Sequence, residues 1–210
     1  MVIYVLTAKQ VELLALFRPF EEITFSELKK RARERSNNRL QQALAAFEDE
    51  GVIRKRGVAN VFLYSLELAN PRTHHYLGLV TETWLGNLPG IDGKEIRRIR
   101  ETILRTCPFS SIVLFGSFAD GTQTKKSDID VAVFTNEDAK PIELAIGGLR
   151  DRHFREMDLW VINKADFQEM LANEEFNLGK EIRKKHRPLH NAAGFYECIL
   201  SGRRPPARVE

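Results

Sequence analysis

The sequence predicts an α+β protein in two parts, and three observations support this. In the first 70 residues, three segments with helical spacing of apolar residues are followed by two short β-prone segments. Beyond residue 90, β-prone segments alternate with helical ones, which indicates a sheet covered by helices. A chain of 210 residues, 43% hydrophobic and 29% charged, can form two small apolar cores. These counts exclude a disordered chain.

Composition also excludes several classes of protein. No stretch approaches the roughly 18 to 20 apolar residues that span a bilayer, and Lys9 and Glu12 interrupt any signal-like segment. We therefore expect a cytoplasmic protein with no membrane partner. The two cysteines, Cys107 and Cys198, lack metal-binding spacing, which argues against a zinc finger or a disulfide scaffold. A net charge of +3 does not by itself indicate a nucleic-acid partner, so a local basic cluster is needed.

The first two helices are predicted from apolar spacing and capping residues. Val11, Leu14 and Phe17 repeat at helical spacing just before a proline. Thr24 and Glu27 form a capping-box pattern, which places a helix start at Thr24. Two helices should therefore occupy the first 35 residues.

A third helix and a hairpin follow. Ser36 offers an N-cap, and a set of apolar residues falls on one side of the next helix: Leu40, Ala43, Leu44 and Phe47. Gly51 ends this helix. Residues 52–56 and 61–66 are β-prone on either side of a turn predicted at 57–60.

Three helices and a hairpin in this order resemble the winged helix-turn-helix of small prokaryotic transcription regulators. The resemblance covers about residues 5–68, so we assign residues 1–68 to this domain. It implies double-stranded DNA as a partner and the third helix as the recognition helix. The implied DNA-binding residues are Ser36, Asn38, Arg39, Gln41 and Gln42 on that helix, with Arg54, Lys55 and Arg56 in the wing.

Residues 29–35 are the densest basic stretch in the chain, which favours DNA binding. The alternatives are an ordinary solvated helix face and a module that contacts protein.

Residues 69–90 are predicted to connect two domains. Helical spacing over residues 74–88 ends at Pro89-Gly90, where we place the boundary. This connecting helix could form a homodimer that reads symmetric half-sites, or it could pack on its own chain. Residues 91–200 then form the second domain, and residues 201–210 a flexible tail.

The second domain alternates helices and strands. Helices are expected at 93–106, 141–153 and 173–185, strands at 111–115, 129–134 and 157–162, and a short element at 195–200.

An apolar strand ends at Gly116-Ser117, a pattern typical of anion binding. Glycine allows a backbone amide to approach a phosphate closely, and a helix beginning at Ser117 would present free N–H groups. The oxygens of a triphosphate fit such a site.

Two acids follow in the next predicted strand. Because alternate residues of a strand share a face, Asp128 and Asp130 should point the same way, and two adjacent carboxylates favour a bound cation. Hard oxygen ligands of this kind suit Mg²⁺. Asp158 lies in another apolar strand, and three converging carboxylates could hold two metal ions for nucleotidyl transfer.

These motifs resemble the DNA polymerase β-like nucleotidyltransferase superfamily, and in particular its minimal prokaryotic members. The resemblance rests on Phe115-Gly116-Ser117, Asp128-Ile129-Asp130 and Asp158, covers about residues 91–200, and implies a domain with a mixed sheet. It implies that Gly116 and Ser117 hold the triphosphate, that all three acids bind metal, and that Asp158 also helps activate the acceptor hydroxyl. Ser127 matches the family as well.

The sequence departs from the family between the two motifs. Many minimal members carry arginines where this chain has Phe118 and Asp120. Lys125 and Lys126 could supply the missing positive charge at the nucleotide, or could be ordinary loop lysines.

The sequence thus predicts a Mg²⁺-dependent enzyme, with two ions, that transfers a nucleoside monophosphate, AMP first, from a nucleoside triphosphate to an acceptor that could be a protein. One alternative is a DNA-binding regulator that senses a nucleotide without turnover. Another is a minimal-nucleotidyltransferase antitoxin. The five histidines show no triad or ligand spacing and are expected at the surface.

Overall fold

The computed structural model describes residues 6–88, 92–150 and 155–201. The chain divides after Thr83 into two compact units. The division falls inside a single helix, α4 (Pro71–Asn87), which begins three residues earlier than the helix expected from residue 74. The predicted tail, apart from Ser201, lies outside the described residues. No described helix is both long enough and apolar enough to cross a bilayer.

From residue 6 onward, the described part of the first unit contains three helices, a short strand and a hairpin before α4. In order, its elements are α1 (Ala8–Leu14), β1 (Ile23–Thr24), α2 (Phe25–Arg31), α3 (Asn37–Asp49), β2 (Ile53–Val58) and β3 (Val61–Leu66). The three strands form an antiparallel sheet in the order β1-β3-β2.

Capping side chains set the starts of these helices. The Thr24 hydroxyl accepts a hydrogen bond from the Glu27 amide, as expected, while the Glu27 carboxylate accepts one from Arg31. Ser36 caps α3 by accepting from the Arg39 amide. The buried face of α3 comprises Leu40, Leu44 and Phe47. Apolar spacing therefore predicted the inward side of the helix, with Ala43 only half-buried at its edge.

The turn of the hairpin is shorter than the sequence suggested. Gly57 and Val58 belong to β2, where they pair with Phe62 and Val61, so only Ala59 and Asn60 form the turn. The prediction of a turn at 57–60 was wrong because backbone pairing continues through the glycine. Ala59 takes the left-handed conformation, with φ of 50°.

In the part of the second unit that the structure describes, a four-stranded mixed sheet carries helices on both faces. After α4 its elements are α5 (Asp92–Thr106), β4 (Ser111–Phe115), α6 (Gly116–Asp120), β5 (Ile129–Phe134), α7 (Ala139–Arg150), β6 (Met157–Ile162), α8 (Lys164–Ala172), α9 (Leu178–Lys184), β7 (His186–His190) and α10 (Ala192–Ser201). The strand order is β6-β5-β4-β7. Strands β5 and β6 run parallel, and the other two neighbouring pairs are antiparallel.

The two faces of the sheet have different packing. Ile129, Val131 and Val133 enter an aliphatic core together with residues of α5 and α7. On the opposite face, Phe134 of β5 packs against Phe167 of α8 at a ring-centroid distance of 4.6 Å. Alternation along β5 thus separates an apolar layer from the face that carries Asp130.

Two elements after β6 differ from the prediction. The expected helix at 173–185 is α9, which begins only at Leu178, and α8 was not predicted because Phe167 is its one buried residue. Strand β7 was also missed, since it contains Pro188 and lacks an alternating pattern. It lies at the edge of the sheet, where such a residue is tolerated.

Candidate functional site

At the junction between β4 and α6, the backbone of Gly116 lies against the side chain of Asp130. All five residues of β4 are buried, and α6 begins at Gly116, whose φ of +66° is left-handed. A Cβ atom at position 116 would lie 2.2 Å from Oδ2 of Asp130. A carboxylate therefore lies against this glycine, and the predicted approach of its amide to a phosphate stays a prediction. The N-cap residue Phe115 makes no side-chain hydrogen bond to the first turn of α6.

Asp130 and Asp158 lie side by side on neighbouring strands. They are register partners in the parallel pair β5–β6. Register partners of adjacent strands project to the same face, here the face opposite the aliphatic core. Asp130 is half-buried and Asp158 is exposed. The sheet thus joins a shielded carboxylate to one that solvent can reach.

The electrostatic surroundings of Asp130 disfavour its charge. Burial raises the pKa of Asp130 to about 6, and the negative charges of Asp158, Glu181 and Asp128 contribute to the rise, in that order of effect. A cluster of carboxylates without a matching cation favours either a proton or a metal ion.

Glu181 is a site residue that the sequence did not reveal. It lies in the first turn of α9, far along the chain from the aspartate motif. Four residues later, Nζ of Lys185 lies 2.9 Å from the carboxylate of Asp120, at the end of α6. Lys185 is the C-cap residue that follows α9, and the negative charge of Glu181 contributes to the raised pKa of Asp130. No spacing rule connects Glu181 to the aspartates.

The predicted three-carboxylate metal site is not formed by the aspartates in this conformation. Across residues 6–88, 92–150 and 155–201, no three His, Cys, Asp or Glu side chains are grouped closely enough to hold a metal ion. The expectation assumed that Asp128 lies in a strand, but β5 begins at Ile129. Alternation therefore does not direct Asp128 to the same face as Asp130. The donor chemistry, carboxylate oxygens with excess negative charge, still fits a hard divalent cation.

The loop between α6 and β5 carries the remaining predicted nucleotide-binding residues. The Ser127 hydroxyl accepts a hydrogen bond of 2.9 Å from the Thr124 amide, so it stabilises the turn. Lys125 and Lys126 are exposed in that turn, and Ser117 is half-buried in α6. These lysines thus lie beside the segment that leads to Asp128.

A known family matches part of the second unit. Residues 96–190 match the family described as "Nucleotidyltransferase domain". These residues form a nucleotidyltransferase domain. The match includes Gly116-Ser117 and all three aspartates, and it confirms the predicted class of enzyme.

Two solved structures are similar to the chain, and no curated protein matches it. The first is described as a toxin-antitoxin with AMP-PNP, at 21% identity and a TM-score of 0.33, covering 50% of this chain and 82% of that chain. The second is a mutant of the toxin-antitoxin MntA-HpeT, at 17% identity and a TM-score of 0.31, covering 51% of this chain and 90% of that chain.

One histidine of the nucleotidyltransferase domain is buried, contrary to expectation. Nε2 of His186 lies 3.0 Å from the Tyr196 hydroxyl, and its Nδ1 lies 2.9 Å from the Ile182 carbonyl oxygen. Burial lowers the pKa of His186 to about 4, which keeps the ring neutral. His74 in the first unit is buried too, with Nε2 2.7 Å from the Leu68 carbonyl oxygen. Both rings form hydrogen bonds in the interior, and His153 lies outside the described residues.

The predicted DNA-binding residues fall into two groups. On α3, Asn38, Arg39, Gln41 and Gln42 are exposed, while the Ser36 hydroxyl is engaged in capping. In the hairpin, Arg54 is paired with Glu67 and Arg56 with Glu22. Nζ of Lys55 lies 4.3 Å from the centre of the Phe62 ring. The exposed side of α3 is therefore available to a partner, whereas the two hairpin arginines already form solvent-exposed ion pairs.

Proposed function

We propose that the nucleotidyltransferase domain transfers a nucleoside monophosphate, first of all AMP, from a nucleoside triphosphate to an acceptor hydroxyl, and that Mg²⁺ is required. The observation that carries this proposal is the pairing of Asp130 with Asp158 next to the bare backbone of Gly116. A shielded acid, an accessible acid and the backbone amides at the start of α6 together provide what phosphoryl chemistry requires, namely positioning and charge compensation.

Each residue of the site has a proposed role. The amides of Gly116 and Ser117 would bind phosphate oxygens, with Lys125 and Lys126 compensating charge. Asp128, Asp130 and Asp158 would hold two Mg²⁺ ions, which would neutralise charge on the pyrophosphate leaving group. Asp158, the accessible acid, would orient the acceptor hydroxyl and accept its proton at a carboxylate oxygen.

The test is transfer of radiolabel from α-³²P-labelled nucleoside triphosphates to candidate acceptors, with Mg²⁺ or with EDTA. We expect Asp130→Asn and Asp158→Asn to lower the rate at least about 100-fold, because an amide cannot replace a carboxylate toward a cation. Asp128→Asn should act in the same direction. Chelation should abolish transfer in the unaltered protein.

Glu137→Gln is the matched control. Glu137 is an exposed acid beyond the opposite end of β5, so losing its charge should leave the rate unchanged. Transfer that persists in Asp130→Asn and Asp158→Asn would refute the proposal.

A second function, DNA binding by the first unit, is favoured by the exposed polar side of α3. Asn38, Gln41 and Gln42 present donors and acceptors suited to base edges, and Arg39 adds a charge. Helices α2 and α3 followed by the hairpin agree with the winged helix-turn-helix resemblance. We therefore propose α3 as the recognition helix.

Filter binding to a radiolabelled duplex, measured over a range of salt concentrations, tests this second function. Arg39→Ala should weaken binding about tenfold and reduce the salt slope by about one, if its charge contacts phosphate. Arg54→Ala should have a smaller effect, since Glu67 already pairs with that side chain. Arg105→Ala is the control, because Arg105 is an exposed arginine of the second unit. Absence of duplex binding at low salt would refute α3 as a DNA reader.

The two alternatives for the whole chain differ in measurable ways. A regulator without turnover would change its duplex affinity when a nucleotide binds and would release no pyrophosphate. An antitoxin would act on, or bind to, a partner protein, and this alternative remains a prediction.

A further inference from the structure

A single guanidinium holds the loop that leads to Asp128. Arg155 lies just before β6. Its Nη1 donates to the Lys125 carbonyl oxygen at 2.8 Å, to that of Thr124 at 3.2 Å and to that of Ser127 at 3.4 Å. Three carbonyls of one short loop thus converge on one nitrogen, and the next residue after Ser127 is a proposed metal ligand.

The other edge of the same guanidinium is anchored in the domain. Nε of Arg155 donates to Oδ1 of Asp92 at 2.8 Å, and Nη2 donates to Oδ2 at 3.3 Å. The Asp92 side chain is only 9% exposed and belongs to the first turn of α5. The guanidinium also lies 5.5 Å from the centre of the Phe118 ring. Arg155 therefore bridges helix α5 and the loop between α6 and β5.

The charge of Arg155 also balances buried acids. Glu95 lies one turn after Asp92 and is buried, and burial raises its pKa, with Asp92 adding to the rise and Arg155 opposing it. Among the described residues, Oε2 of Glu95 has no hydrogen-bond partner. Removing the charge of Arg155 alone would leave the buried carboxylates of Asp92 and Glu95 without a compensating cation, which would lower the free energy of unfolding.

We propose that Arg155 is a positioning residue for nucleotidyl transfer, because it fixes the backbone of residues 124–127 and thereby the place of Asp128 and the two loop lysines. This role rests on the proposed function of the domain. Arg155 acts through the loop, so its effect should appear mainly in the turnover number.

The geometry requires a guanidinium and not merely a positive charge. A planar fork can donate along one edge to a carboxylate and along another to carbonyls, whereas an ammonium group is a point charge. Lysine at position 155 could keep a charge beside Asp92 but could not reach both sets of acceptors. Arg155→Lys therefore separates the charge from the positioning role.

The experiment compares the unaltered protein with Arg155→Lys and with the double variant Asp92→Asn/Arg155→Gln, which removes both charges of the pair. Measurements are kcat and KM for ATP in the transfer reaction, hydrogen exchange of the amides of residues 122–128, and thermal unfolding. In both variants we expect kcat to fall at least about tenfold, since small misplacements of catalytic groups cost this much, while KM changes less than about threefold. Amide exchange should rise in residues 122–128 and stay unchanged in α8 to α10.

Arg105→Gln is the matched control, because Arg105 is exposed at the opposite end of α5 from Asp92. Unaltered kcat and loop exchange in Arg155→Lys would overturn the proposal. A fall in activity that only follows the loss of folded protein would also overturn it. If the unaltered protein shows no transfer, the proposed function fails, and loop exchange alone then decides whether Arg155 orders the loop.

Discussion

The side chain of Asp130 combines two properties that oppose each other energetically. It is half-buried against the Gly116 backbone, which disfavours a charge, and it faces further acids. A folded protein tolerates such a group where function requires it, since substitution at a site of this kind often increases stability. At Asp130, the carboxylate that the proposed catalysis requires therefore lowers the stability of the fold.

Stability should depend on pH through Asp130. Its pKa in the folded protein, about 6, lies above the ordinary value of 3.8, so the folded state binds the proton more tightly than the unfolded state. The resulting stabilisation is complete below the ordinary pKa and is lost as the pH rises through about 6. We expect Asp130→Asn to be more stable than the unaltered protein at about pH 7.5, by about 1 kcal/mol after allowance for solvent screening, and equally stable at about pH 4.

Thermal unfolding at both pH values measures this difference, with Glu137→Gln as the exposed control. A gain in stability that is the same at both pH values would contradict the assignment to ionisation of Asp130. Adding Mg²⁺ at the higher pH should stabilise the unaltered protein and not Asp130→Asn, because a ligand stabilises only the state that binds it.

At the scale of elements, the β4–α6 junction is the feature that the sequence predicted best. An apolar strand running into Gly-Ser predicted both the end of β4 and a helix start, and the structure places the start of α6 at Gly116. Asp130 and Asp158 could be assigned to strands from their apolar neighbours. Their pairing in register could not, because no local pattern specifies which strands become neighbours.

Gly116→Ala should damage the site more than the fold. Alanine in the left-handed conformation costs about 1–2 kcal/mol, and here its Cβ would also collide with Asp130. Gly121→Ala is the matched control, since Gly121 has φ of +76° and a Cβ added there would meet open space. We expect both variants to lose a similar amount of unfolding free energy, because both put alanine in the left-handed conformation. Only Gly116→Ala should lose additional unfolding free energy, and only its transfer rate should fall, by at least about tenfold.

Unfolding curves and the radiolabel assay on the two alanine variants distinguish these contributions. Equal transfer rates in the two variants would mean that contact between Asp130 and the bare backbone is irrelevant to the reaction.

At the scale of the whole molecule, the proposed DNA-binding residues and the proposed catalytic residues lie in different units of the chain. The exposed side of α3 lies in the unit before Thr83, and the aspartates lie in the unit after it. Composition and periodicity predicted two parts, and periodicity placed most helices and strands within a few residues. They could not reveal Arg155 or Glu181, since each acts through contacts between residues far apart in sequence.

Trp160 gives the domain an intrinsic optical reporter. It lies two residues after Asp158 on β6, so its indole projects from the same face about 7 Å along the strand, and 48% of it is exposed. The chain has two tryptophans, and the ring of Trp84 is covered by the guanidinium of Arg187 at 4.6 Å. The fluorescence emission of Trp160 should therefore change when a nucleotide binds near the aspartates. In the Trp84→Phe variant, Trp160 would be the single tryptophan, so any change in tryptophan emission would come from this site.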